Sequence, residues 1–196
     1  MASNPKICKY LDIPIQHISN NILKLMGRRG RKELIVDTIN KLRYNIKDIC
    51  LRTSLIVGFP GETEEDFNEL KNFVIETRFD NLGVFKYSQE EDTPAAIMKN
   101  QLDEEVKDKR YNELMSLQQN ISKEINAKKI GRVYDVLVEG YENFKWFGRN
   151  YEMCPVIDGI IYFESKNDLK IGSIIQVKIV DSLEYDLLGV VSYESC

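Results

Sequence analysis

Leu51-Arg-Thr-Ser-Leu-Ile-Val-Gly-Phe-Pro-Gly-Glu-Thr63 is the stretch whose reading decides the fold. Leu55, Ile56 and Val57 form a short apolar run bounded by turn residues, the pattern of a parallel strand covered on both faces. Gly58 and Gly61 allow backbone angles and close approaches that a side chain would block, and Pro60 fixes a torsion between them. Thr63 followed by Asp66 has capping-box spacing, and Glu64 and Glu65 suit the positive end of a following helix. A strand, a glycine-bracketed turn and a helix start are where α/β enzymes hold ligands. They also make up a plain strand-to-helix connection, and the stretch by itself admits both readings.

Working outward, residues 1–126 alternate strand-like and helix-like segments, which predicts βα units and a parallel sheet. Strands are expected near Lys9–Ile15, Ile49–Val57 and Asn81–Tyr87. Ile22, Leu23 and Met26 mark a short helix after Ser19; Leu34, Ile35, Ile39 and Leu42 mark a second at helical spacing. Phe67, Leu70, Phe73 and Val74 mark the helix after Thr63, and Val106, Leu114, Leu117, Ile121 and Ile125 a longer one from about Asp103. From about Ala127 the pattern changes to short strands near Arg132–Glu139, Phe144–Asn150, Gly159–Phe163, Ile174–Asp181 and Tyr185–Tyr193. Five short strands in a segment of this length predict a small antiparallel barrel over residues 127–196.

Parallel βα architectures place ligands at the C-terminal ends of their strands. That rule gathers Pro14-Ile-Gln-His17, Gly58-Phe-Pro-Gly61 and Tyr87-Ser88 on one edge of the sheet. Gln16 and His17 offer hydrogen-bonding groups there, and Arg28, Arg29 and Arg31 could pair with a carboxylate or phosphate. His17 is equally readable as a structural histidine, and the arginines as a solvated basic turn. Glu90-Glu-Asp92 would give the rim a negative charge or form a solvated loop.

Composition removes several classes of function. No apolar run reaches the length of a membrane span and the N-terminus has no signal-peptide core, so a cytoplasmic location is expected. The four cysteines, Cys8, Cys50, Cys154 and Cys196, contain no C-x-x-C pair, and His17 is the only histidine, so no metal site is readable. Cys8 and Cys50 read as small packing residues. No nucleophile with a histidine–acid pair and no phosphate-binding G-x-x-x-x-G-K occurs, so no catalytic residue is assigned. The formal charge of −4 is uneven: from residue 130 onward eleven acids face six bases, a net −5.

Tyr10-Leu-Asp-Ile-Pro-Ile-Gln-His17, Leu23-Lys-Leu-Met-Gly-Arg28, Arg52 to Thr63, Gly83-Val-Phe-Lys-Tyr-Ser88 leading to Thr93-Pro-Ala-Ala96, Gly131-Arg132 and Tyr185-Asp-Leu187 occur in order along almost the whole chain. Together they resemble the radical S-adenosylmethionine methylthiotransferases, most closely the branch that modifies a ribosomal protein. The resemblance implies the C-terminal half of a radical βα barrel followed by an OB-like TRAM barrel. It also implies S-adenosylmethionine and two [4Fe–4S] clusters in the intact family, with Gln16, Arg28, Thr53, Gly58 and Gly61 toward the cofactor and His17, Glu90 and Glu91 on the substrate rim. The C-x-x-x-C-x-x-C loop of the family is not in this sequence, so the chain by itself is expected to be inactive and to hold no cofactor stably. An open barrel edge near Tyr10–Ile15 would favour self-association.

The family's sibling branch acts on transfer RNA. An acidic C-terminal segment disfavours phosphate contacts and suits a basic ribosomal protein of the small subunit. A transfer-RNA methylthiotransferase fragment and a non-catalytic module that binds a ribosomal protein remain as alternatives.

Overall fold

The computed structural model describes residues 1–192. These group into two compact units, residues 1–7 with 11–118, and residues 8–10 with those from 119 onward, so the division falls inside one long helix.

In the first unit, β1 (Tyr10–Gln16), β2 (Cys50–Val57) and β3 (Asn81–Lys86) lie in the order β1-β2-β3. β2 and β3 run parallel in a register that sets Ser54 beside Gly83 and Ile56 beside Phe85. Parallel neighbours need crossovers, and helices supply them. α1 (Asn20–Leu25) and α2 (Lys32–Asn45) join β1 to β2, α3 (Glu64–Thr77) joins β2 to β3, and α4 (Glu104–Ala127) follows.

The two faces of β2 differ. Leu51, Thr53, Leu55 and Val57 are wholly buried, as are Phe67, Leu70 and Val74 of α3 and Leu114 of α4, the apolar surfaces that must cover this side. Ser54 and Ile56 alternate with them on a face that is only half-buried. Thr53 ties the sheet together. Its hydroxyl donates to the Ile13 carbonyl at 2.7 Å and accepts the Ile15 N–H.

The helix ends follow the expected chemistry. Ser19 caps α1, and Thr63 and Asp66 complete a capping box on α3, each side chain accepting the other's backbone N–H. α1 closes in a Schellman arrangement: Gly27, at φ +69°, donates to the Lys24 carbonyl, and the Arg28 N–H donates to that of Leu23.

The second unit is a closed barrel in the order β4-β5-β6-β8-β7, with β4 Val133–Glu142, β5 Lys145–Arg149, β6 Ile161–Glu164, β7 Ile174–Ser182 and β8 Leu187–Val191. Its core is Tyr134, Val136, Val138, Met153, Ile161, Phe163, Val177, Ile179 and Leu187. The barrel is mixed rather than wholly antiparallel, because β6 and β8 pair in parallel while the other four contacts are antiparallel. β7 lies between them in the chain and pairs β8 on its far side, so β8 arrives beside β6 in the same direction. The expected end of the last strand at Tyr193, and Cys196, lie outside the described residues. Cys50 is buried as expected, whereas Cys8 is exposed.

Candidate functional site

An open cleft of about 420 Å³ lies at the C-terminal edge of the half-buried sheet face. Ile56 of β2 contributes an apolar surface, with Phe59 from the following turn. Leu25, Met26, Gly27 and Arg28 come from the end of α1, Gln16 from the end of β1, and Thr93, Pro94 and Ala95 from the loop after β3. A single 3₁₀ turn at Pro94–Ile97, capped by the Thr93 side chain, fixes that last wall.

Two features aim polar groups into the cleft region. Gln16 sits at φ +75°, a left-handed conformation that is costly for a residue with a side chain and that clusters at ligand sites. The Schellman turn at Gly27 brings Arg28 back over β1, where its guanidinium donates to the Pro14 carbonyl at 2.6 Å while remaining exposed. Arg28 also borders a second hollow, of about 460 Å³, lined by Ile13, Ile15, Leu23 and Ile35. A fixed guanidinium beside an apolar slot suits a ligand with a carboxylate at one end and a flat apolar group at the other.

Behind the cleft, the Gly58–Gly61 turn is held by a buried ion pair. Both Gly58 and Phe59 donate their N–H groups to the Glu62 carboxylate. Arg110 of α4 reaches the same carboxylate at 3.0 Å and donates to the Glu62 carbonyl at 3.1 Å, with side-chain exposures of 6 % for Arg110 and 0 % for Glu62. Burial pushes the Glu62 carboxyl up to about 7, against the pull of Arg110 and of the two N–H groups. Gly58, at φ +73°, has no room for a side chain: a Cβ there would lie 2.3 Å from Cγ of Lys107.

His17 is completely buried, so its placement on an accessible rim is corrected. Its Nδ1 accepts the Ser19 N–H at 3.0 Å, which leaves the proton of a neutral ring on Nε2. Burial lowers its pKa to about 4, assisted by Arg110 and opposed by Asp66. The Asp66 carboxyl is held low: the desolvation that would raise it is outweighed by hydrogen bonds from Ser19 and Thr63. His17 thus belongs to the network that fixes the starts of α1 and α3.

Of the residues singled out from sequence, the structure brings Gln16 and Arg28 together on the cleft. Thr53 is turned to the buried face and bridges two strands, so it does not line the cleft. Gly58 and Gly61 shape the turn behind it, and the Gly61 N–H donates to the Asn100 carbonyl at 2.8 Å. Glu90 and Glu91 are exposed outside the lining, where Glu90 accepts from the Ser88 hydroxyl. Ile56, Phe59, Leu25 and the Thr93–Ala95 wall were missed as lining residues, and so was the Glu62–Arg110 pair. Ile56 could have been found from the period of two, which puts it opposite Leu55 and Val57.

The cysteines that the structure describes are distributed as one exposed, one buried and one half-buried, and among the described residues no three His, Cys, Asp or Glu side chains could jointly hold a metal ion. This donor set does not fit an iron–sulfur cluster. Among the described residues no helix is long and apolar enough to cross a membrane.

The Radical SAM superfamily model matches residues 1–74 and the TRAM domain model residues 130–191. A ribosomal protein uS12 methylthiotransferase RimO from Clostridium botulinum (strain Langeland) is 62 % identical over 194 residues, 99 % of this chain and 44 % of that protein. The protein of the same name from Clostridium novyi (strain NT) is 60 % identical over 195 residues, 100 % of this chain and 44 % of its own length. The chain therefore spans less than half of the curated relatives it matches. Among solved structures, the radical SAM enzyme coproporphyrinogen III oxidase (HemN) from Escherichia coli matches with a TM-score of 0.50 at 21 % identity. The match covers 58 % of this chain and 27 % of that one, and it shows the fold alone.

Proposed function

We propose, from the premise that this chain belongs to the RimO-like methylthiotransferases, that its strand-end cleft is one wall of the S-adenosylmethionine site of an enzyme that methylthiolates an aspartate β-carbon of ribosomal protein uS12 in the cytoplasm. The observation that carries this reading is the convergence of Gln16, in its strained left-handed backbone, and Arg28 on one apolar slot at the ends of parallel strands. With the cofactor bound, Arg28 would face the methionine carboxylate and the Gln16 amide would hydrogen-bond its polar part, while Ile56, Phe59 and Leu25 would exclude water from its flat base. On one-electron reduction by an iron–sulfur cluster, the cofactor would supply the carbon radical that removes a hydrogen from carbon. Among the described residues no set of side chains fits a cluster, and on that ground we infer that this chain does not generate the radical by itself. We place the functional division at residues 126/127, radical half-barrel before it and TRAM barrel after it.

The charge distribution supports uS12 rather than transfer RNA as the partner. Nucleic-acid affinity comes chiefly from lysine and arginine at phosphates, and the net −5 from residue 130 onward opposes it. Titrating the whole chain with purified uS12 and with transfer RNA, at low and at physiological salt, tests the choice. Retention of uS12 with no transfer-RNA binding is expected. Transfer-RNA binding that falls steeply with salt, with uS12 unbound, would assign the chain to the RNA branch instead.

A further inference from the structure

The barrel carries an arm. β4 pairs β7 only as far as Leu137, whereas its pairing with β5 continues through Gly140–Phe147, Tyr141–Trp146 and Glu142–Lys145. The outer part of this hairpin is thus a two-stranded ribbon, a form that is marginal in water without further packing. Two residues close it, Asn143 at φ +50° and Phe144 at φ +63°, the left-handed pair of a type I′ turn. Asparagine suits the first position and glycine the second; phenylalanine is a poor choice for the second, since its Cβ crowds the carbonyl in this conformation. Yet the residue is 91 % exposed and its side chain is not part of the core. One turn residue is therefore unfavourable both in backbone and in solvation, the pattern seen where a side chain is kept for a ligand.

The ring does not stand alone. Tyr141, 55 % exposed, lies 5.0 Å centroid to centroid from Trp146, its cross-strand partner, and Trp146 packs inward on the barrel core. At the base of the arm Arg149 pairs with Glu139 at 2.8 Å. Exposed aromatic faces bind either nucleic-acid bases or cationic side chains. A base-stacking platform needs cations for the adjoining phosphates, and eleven acids against six bases in this part of the chain work against it. The arm itself is balanced, Glu139 and Glu142 against Lys145 and Arg149, so it is the −5 of the whole segment that draws in a basic polypeptide.

We propose that the β4–β5 arm is a docking site for a basic polypeptide segment, with arginine side chains lying over the rings of Phe144 and Tyr141. This deepens the reading of the chain as acting on a ribosomal protein and rests on it for the source of that segment. Trp146, the single tryptophan, is a built-in reporter beside Tyr141.

The test is a titration of the whole chain with an arginine–glycine peptide at physiological salt, followed by Trp146 fluorescence and peptide anisotropy. Phe144→Gly and Tyr141→Ala are each expected to weaken binding by about tenfold, the size of a desolvated cation–aromatic contact. Phe144→Gly also relieves the backbone, so its melting temperature should equal or exceed that of the unaltered chain, which separates lost docking from lost folding. Replacing arginine by citrulline in the peptide should abolish the fluorescence change. Binding by Phe144→Gly within about twofold of the unaltered chain, at cation–aromatic strengths that predict more, overturns the proposal. So does a fluorescence response to single-stranded RNA but not to the peptide. If the peptide binds through the arm and uS12 does not bind, the docking site stands and the assignment to uS12 falls. If uS12 binds equally to the Phe144→Gly chain, the reverse holds.

Discussion

Arg110→Ala is expected to destabilise the first unit by about 3–5 kcal/mol, the cost of leaving one partner of a buried ion pair uncompensated. Glu62 has no exposed side-chain surface, and Arg110 is the cation against it. Alanine would strip the carboxylate of that charge and remove the donor to the Glu62 carbonyl. It would also take the guanidinium off the Phe67 ring, which it now covers at 5.2 Å. The double change Glu62→Gln with Arg110→Met should recover much of the loss, because a neutral amide can keep its hydrogen bonds without a counter-charge. Urea unfolding at alkaline pH, where the Glu62 carboxyl is driven to its charged form, measures both, and a loss there below about 1 kcal/mol for Arg110→Ala, the range of an exposed pair, would show that the pair is not buried.

The pH dependence of the same unit has two opposed parts. Glu62, raised from 4.5 to about 7, binds protons more readily in the folded chain, so its contribution to stability is present at low pH and is lost as pH rises through that window. His17, lowered from 6.5 to about 4, behaves in the opposite sense: its contribution is present above 6.5 and is lost as pH falls toward 4. Between 4.5 and 6.5 the two slopes oppose each other. In Glu62→Gln the histidine slope should stand uncovered, with stability rising with pH across this range. For Arg110→Ala the loss should be larger at alkaline pH, where Glu62 cannot escape as the neutral acid.

Gly58→Ala is expected to cost about 2–4 kcal/mol, combining left-handed strain with overpacking of a filled site. The clash falls on Cγ and Cβ of Lys107, close to the backbone of α4 rather than at a free chain end. Lys107 is itself held, its ammonium pairing with Glu104 at 2.7 Å and lying 5.5 Å from the centroid of the Tyr87 ring. Easing the contact therefore disturbs the packing beside Phe59, whose ring meets Tyr87 edge-on at 5.2 Å. A denaturant midpoint unchanged in Gly58→Ala would mean that α4 is free to move. Lys107→Ala in the Gly58→Ala background should restore part of the loss.

Local rules made much of this legible. The capping box at Thr63 and Asp66 and the helical stripe of Phe67, Leu70, Phe73 and Val74 are short-range signals that appear in the structure as read, whereas the apolar run Leu55–Val57, expected to be covered on both faces, is a strand whose Ser54 and Ile56 face is only half-buried. What was not legible came from pairings distant in sequence. The parallel β6–β8 contact depends on how the barrel closes, and no turn signal carries it. Thr53 falls within β2 and His17 directly after β1, as expected, but their facing is set by what packs above them: Asp66 and Ser19 around His17, β1 carbonyl and N–H groups around Thr53. Arg110 and Glu62 are 48 residues apart, and only the fold brings them together.

The most direct measurement of the central claim is the amide spectrum of the isotope-labelled chain titrated with S-adenosylmethionine up to millimolar concentration, alongside Arg28→Ala. Weak, saturable shifts are predicted at Gln16, Gly27, Arg28, Ile56, Phe59 and Ala95, and they should vanish in Arg28→Ala while the rest of the spectrum is unchanged. Shifts confined to other surfaces, or an Arg28→Ala chain that responds as the unaltered one does, would contradict the assignment of this cleft to the cofactor.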